Sequence, residues 1–320
     1  MKTAEKRSGP IRFVLGLVWS SFFLSQFATS AALNAQSLSN SQLREIESIS
    51  NRLNSAASEL HKEFHEHLTR VKHGEKLEED VTTIERLAQS LSAFAKRADN
   101  SEASMDALRR DTTDLIRVAF QVRRTIDLAE RWSPTNLGIA HMREAAQEVI
   151  GIAGDIDRYL PVDTKVIDEQ LVELEAATEE LHKEFHEHLD GYEISAHLDE
   201  DLEELEKRVK HIHETAHGKD WRSLNTRHLL DDLREVAQSS AHIEKLFDQQ
   251  ARIGVRTSSY VGIEHSTDAL TDVLAAVRLI EQMIFKFDSS LNRRQDLAPP
   301  PQPQPMIDSR PKRDRPNYPR

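Results

Sequence analysis

Ten consecutive residues, Glu59 to Leu68 (ELHKEFHEHL), recur letter for letter at Glu180 to Leu189. Sliding the chain by 121 positions without a gap also aligns Leu53 with Leu174, Leu77 with Leu198 and Leu108 with Leu229. Asp80 then meets Asp201, Glu85 meets Glu206 and Arg131 meets Arg252. Most other aligned pairs differ in identity but keep their apolar or polar character. This is the mark of a duplication followed by drift, which a helical bundle tolerates while pattern and volume are kept. Drift does not explain an untouched decamer carrying three histidines.

Apolar residues recur at three- and four-residue steps, the period of amphipathic helices. Ile46, Leu53, Ala57, Leu60, Phe64 and Leu68 make a first stripe, broken at Gly74. A second carries Leu77, Val81, Ile84, Ala88, Leu91 and Ala95; a third carries Leu108, Leu115, Val118, Val122 and Ile126, and Ser133-Pro134 ends it. A fourth runs from about Asn136 to Leu160, before Pro161. The second half predicts helices over 163–190, 196–217, 222–251 and 257–291. Short loops between four such helices favour an up-down-up-down bundle. The expected fold is therefore all-α, two tandem four-helix bundles over 36–160 and 161–292. The competing arrangement merges the helices across Pro161 into one elongated body.

The ends differ from this pattern. Residues 1–35 read as a secretory signal: Lys2, Lys6, Arg7 and Arg12 lead, Phe13 to Phe27 is apolar, and small residues follow to Ala35. Cleavage near Ala32 or Ala35 is expected, giving an exported, periplasmic or extracellular protein. An uncleaved anchor is the alternative, and Ser20, Ser21, Ser25 and Gln26 make that segment a poor membrane span. Loss of the leader moves the net charge from −12 to −15. So acidic a surface repels phosphate backbones, which argues against a nucleic-acid partner. There is no cysteine, so the core alone must hold the protein. Residues 293–320 form a proline-rich, basic tail expected to be disordered, either a spacer or a solvated end.

Twelve of the fifteen histidines lie in 61–73 and 182–228, so their placement is local. At 100° per residue, His61 lies about 60° to one side of the Leu60/Phe64/Leu68 direction, His65 about 100° to the same side, and His67 about 60° to the other. His61 and His65 are four apart, so their β-carbons are about 5–6 Å distant and both imidazoles can share one metal. If the chain reverses near His73, position 61 faces 85, and Glu85 completes the set. By the same arithmetic Glu206 joins His182 and His186. The candidate ligands are thus His61, His65 and Glu85, with His182, His186 and Glu206, a combination suited to zinc, nickel, cobalt or copper. Asp80 and Asp201 are second candidates on the opposite flank of that helix. The same residues also admit a structural reading, in which flanking histidines and acids pair, or the two decamers pack on one another or on a partner protein, including a second copy.

Leu-His-Lys-Glu-Phe-His-Glu, at Leu60–Glu66 and Leu181–Glu187, resembles the first-helix segment of periplasmic heavy-metal sensor and resistance proteins. The resemblance covers fewer than ten residues per half. It implies helical hairpins that bind nickel, cobalt, zinc or copper through histidines four apart and a glutamate on the next helix. His61 and His65, with His182 and His186, match those histidine positions, and Glu85 and Glu206 the glutamate.

His213-Glu-Thr-Ala-His217 fits the His-Glu-x-x-His pattern of zinc proteases, with Glu235 a conceivable third ligand. Its first-half counterpart, Ser92-Ala-Phe-Ala-Lys96, carries none of the chemistry, and no strand is legible to bind a peptide. Phosphate loops, dinucleotide glycine patterns and serine elbows are absent. The expectation is an exported, non-enzymatic helical-repeat protein that binds a divalent metal, with a metal-free interaction module as the alternative and a zinc protease as the remote one.

Overall fold

The computed structural model describes residues 38–68, 73–97, 101–132, 138–189, 195–253 and 259–297. The expected leader and most of the expected tail lie outside them. Eight helices follow in order: α1 (Asn40–His67), α2 (Gly74–Arg97), α3 (Glu102–Trp132), α4 (Gly138–Asp157), α5 (Thr164–Leu189), α6 (Ser195–Ala216), α7 (Thr226–Ile253) and α8 (Ser259–Leu297). Among the described residues there is no strand, and no helix is long and apolar enough to cross a membrane.

Local chemistry sets the boundaries. Ser39 and Gln42 form a reciprocal capping box, each side chain bonded to the other's backbone N–H, which starts α1. Gly218, at φ 67°, ends α6 in the left-handed conformation that glycine adopts without strain. Pro161 sits between α4 and α5, and the two do not merge. One boundary differs from the reading above: α8 continues past residue 292 to Leu297, so the first five residues expected to be tail are helical.

The six residues of the first stripe, Ile46 to Leu68, are all completely buried. They face the stripes of α2 and α4, while α3 packs on α2 and α4 and closes the ring. Helices α5 to α8 repeat the same cycle. The fold is two tandem up-down four-helix bundles.

The bundles meet where α3 lies against α8. Helix α8 is apolar on two sides. Ala275 and Leu279 join the first core, whereas Val273, Ala276, Val277 and Ile280 join the second. Around this seam α2 and α3 supply most of the bases and the second bundle the acids: Lys76 pairs with Asp272 (3.0 Å), Arg124 with Glu244 (2.6 Å) and Arg131 with Asp248 (3.1 Å). His73, buried and in a left-handed conformation at φ 62°, donates from Nδ1 to Asp268 of α8 at 2.7 Å.

Candidate metal centres

The α1–α2 connection reverses the chain so that His61 stands opposite Glu85. A carboxylate only accepts, so His61 Nδ1 carries a proton and donates it to Glu85 Oε2 at 2.6 Å. That leaves His61 Nε2 as an acceptor, and His65 Nε2 approaches it to 2.9 Å. The rings stack with centroids 4.7 Å apart at 29°, and Phe64 fixes His65 from the core side at 5.3 Å. Two nitrogens bound tetrahedrally to one zinc, with bonds of about 2.0–2.1 Å, stand roughly 3.3 Å apart. The imidazole pair therefore needs to open by only a few tenths of an ångström.

The second half reproduces this arrangement. His182 and His186 stack at 4.6 Å and 29°, Phe185 lies 5.3 Å from His186, and His182 Nδ1 donates to Glu206 at 2.8 Å. Here a further carboxylate completes the ligand side: Asp199 Oδ1 lies 3.1 Å from His182 Nε2 and 3.4 Å from His186 Nε2. The ligand atoms of His182, His186 and Asp199 all fall within 4.8 Å of one another.

The glutamates expected as ligands occupy a different position. Glu85 and Glu206 hold Nδ1, the nitrogen turned away from the shared point, and so fix ring orientation and tautomer, as carboxylates behind metal-bound histidines do. Asp199 is the acid on the ligand side, and identity matching missed it because its first-half counterpart is Glu78. A spacing rule would have found it, since an acid recurs seven residues before each matched glutamate. Burial pushes the His182 imidazole pKa down, but hydrogen bonds to Asp199 and Glu206 and their charges outweigh it and raise it above 6.5. A cation replacing the proton between His182 and Asp199 would meet the same two charges.

Asp80 and Asp201, the second candidates, diverge. Asp201 lies 3.8 Å from His197 and 3.5 Å from His242. The corresponding first-half positions are Lys76, Asp80 and Gln121, and α8 covers them: Lys76 and Gln121 both reach Asp272. Likewise His211 and His228 flank Asp232, where the first half has Ser90 donating to Asp111 at 2.6 Å. These histidines belong to the second half alone.

Burial raises the Asp80 carboxyl to about 7, against the pull of Lys76 and with some help from Asp272 and Glu79. The unfolded carboxyl titrates near 3.8, so between about pH 4 and 7 the folded protein keeps a proton the unfolded chain has released. Stability should fall as pH rises through that window. Asp80→Asn removes this dependence: urea unfolding should find it up to about 4 kcal/mol more stable than the parent at pH 8 and equal to it near pH 4.

In the protease-like pentamer, His213 Nδ1 is engaged by Glu175 of α5, His217 lies just past the end of α6, and Glu235 is paired with Arg208. The conceivable third ligand is thus held by a guanidinium. No protein-family model, curated protein or solved structure matches the chain.

Proposed function

We propose that this chain is an exported, non-enzymatic protein that binds a divalent transition-metal ion (zinc, nickel, cobalt or copper) at two matched positions, one per bundle. His61 and His65 would hold one ion, and His182, His186 and Asp199 the other, with Glu85 and Glu206 orienting the first histidine of each pair. The observation that carries this reading is the repeated geometry: a stacked imidazole pair with an acid on the outer nitrogen, reproduced to 0.1 Å in centroid distance. Drift has changed most other aligned pairs and spared this one. The short likeness to heavy-metal sensor proteins points the same way. The interaction reading, in which the decamers join the halves, gains less support, because the decamer histidines bond within their own bundles and the main contact between the bundles is α3 on α8.

Isothermal titration with zinc, nickel and copper tests the proposal. His61→Ala should abolish binding of one ion, His182→Ala of another, and the double variant of both. An unchanged number of bound ions in the double variant would sink the reading. Glu85→Gln and Glu206→Gln should weaken their sites by about 10–100-fold without removing them, because orientation is lost while the ligand nitrogens stay. Export is tested by sequencing the secreted protein's N-terminus, expected to begin just after Ala32 or Ala35.

A further inference from the structure

The third histidine of each decamer points away from this pair, towards the last helix of its bundle. His67 meets α4 at Gly138, and His188 meets α8 at Gly262; a β-carbon on either glycine would collide with the histidine's own Cβ. Three residues further along those helices stand His141 and His265. The ring centroids are 5.7 Å apart for His67 and His141, and 5.3 Å apart for His188 and His265. Gly-Ile-x-His therefore recurs at 138–141 and 262–265, at a spacing of 124, because three extra residues precede it in the second half. An ungapped comparison at 121 passes over it.

An acid stands beside each histidine pair, reaching both rings in the first half and His188 in the second, where Glu187 joins Glu184 and His188. Glu63 Oε2 lies 3.3 Å from His67 Nε2 and 3.6 Å from His141 Nδ1, and Glu184 Oε2 lies 3.2 Å from His188 Nε2. In both halves this oxygen is buried and accepts no hydrogen bond of normal geometry. A buried carboxylate oxygen without a donor is costly, and the same cost borne at both matched positions calls for a compensating cation.

We propose that Glu63, His67 and His141, and likewise Glu184, His188 and His265, form a second pair of divalent-metal sites along the α1–α4 and α5–α8 seams. Two imidazoles and one carboxylate with open positions suit zinc or copper, and His141 is 61% exposed on its side chain, so the site is open to solvent. This extends the metal-binding reading but uses none of its ligands. It also accounts for the rest of the decamer. Leu60, Phe64 and Leu68 fill the core; His61 and His65 serve one site, Glu63 and His67 the other; Lys62 pairs with Glu59 and Glu66 on the outer face.

The experiment is zinc titration of the full chain. The parent should bind four ions, and His141→Ala/His265→Ala two. His61→Ala/His182→Ala should also bind two, and the combined variant none. If His141→Ala/His265→Ala binds as many ions as the parent, this proposal is overturned, whatever the other variant does. The converse result, loss only in His141→Ala/His265→Ala, would overturn the first pair and leave this one standing. Glu63→Gln/Glu184→Gln, nearly isosteric, should weaken the same two ions at least tenfold. Zinc should also shift the His141 and His265 ring proton resonances in His61→Ala/His182→Ala; unmoved resonances would refute the assignment.

Discussion

Phe64→Ala is expected to lower folding stability by about 3–5 kcal/mol, with Phe185→Ala costing a similar amount. Both rings are among the largest fully buried side chains, at 0% and 1% exposure. Removing either one leaves a cavity that four packed helices close only in part. Urea unfolding monitored by circular dichroism measures the loss. The same substitution removes the ring that holds His65 or His186 from the core side, so zinc affinity at that histidine pair should fall as well. A loss under 1 kcal/mol would mean that the two aromatics do not occupy the core as described.

Gly138→Ala is the second large effect, and its sign is the informative part. Alanine normally stabilises a helix interior relative to glycine by about 1 kcal/mol. Gly151 and Gly154, also in α4, have nothing within 4 Å of an added β-carbon, and Gly151→Ala or Gly154→Ala should give that gain. At Gly138 the new methyl would meet His67 Cβ and Cγ, atoms fixed close to the α1 backbone, so the helices themselves must part. A cost of about 3 kcal/mol is expected, at the upper end for overpacking. Gly262→Ala should do the same against His188. Thermal melts of the four variants would give opposite signs for the two classes of glycine.

The architecture was legible because a 3.6-residue stripe and a proline or glycine break are both local signals. The stripe from Ile46 to Leu68 names one face of α1, and all six residues proved buried. The meeting of His61 with Glu85 was legible too, since a hairpin register follows from where the chain reverses. Other features depend on information that a gapless comparison discards. Asp199 was missed because its partner position holds Glu78, a change that keeps the carboxylate but breaks identity. His141 and His265 were missed because three extra residues at the start of α8, before Gly262, shift the register from 121 to 124. The double-sided character of α8 has no counterpart in α4: where α4 places Gly151, α8 places Ala275, one of the residues that reach the neighbouring core.

That shared last helix has a thermodynamic consequence. Since Ala275 and Leu279 belong to one interior and Ile280 to the other, neither bundle can melt without stripping part of the wall from its neighbour. Ancestral copies of such a unit, if they once denatured separately, have become a single cooperative block. One endotherm should appear on heating, with its calorimetric and van't Hoff enthalpies in agreement.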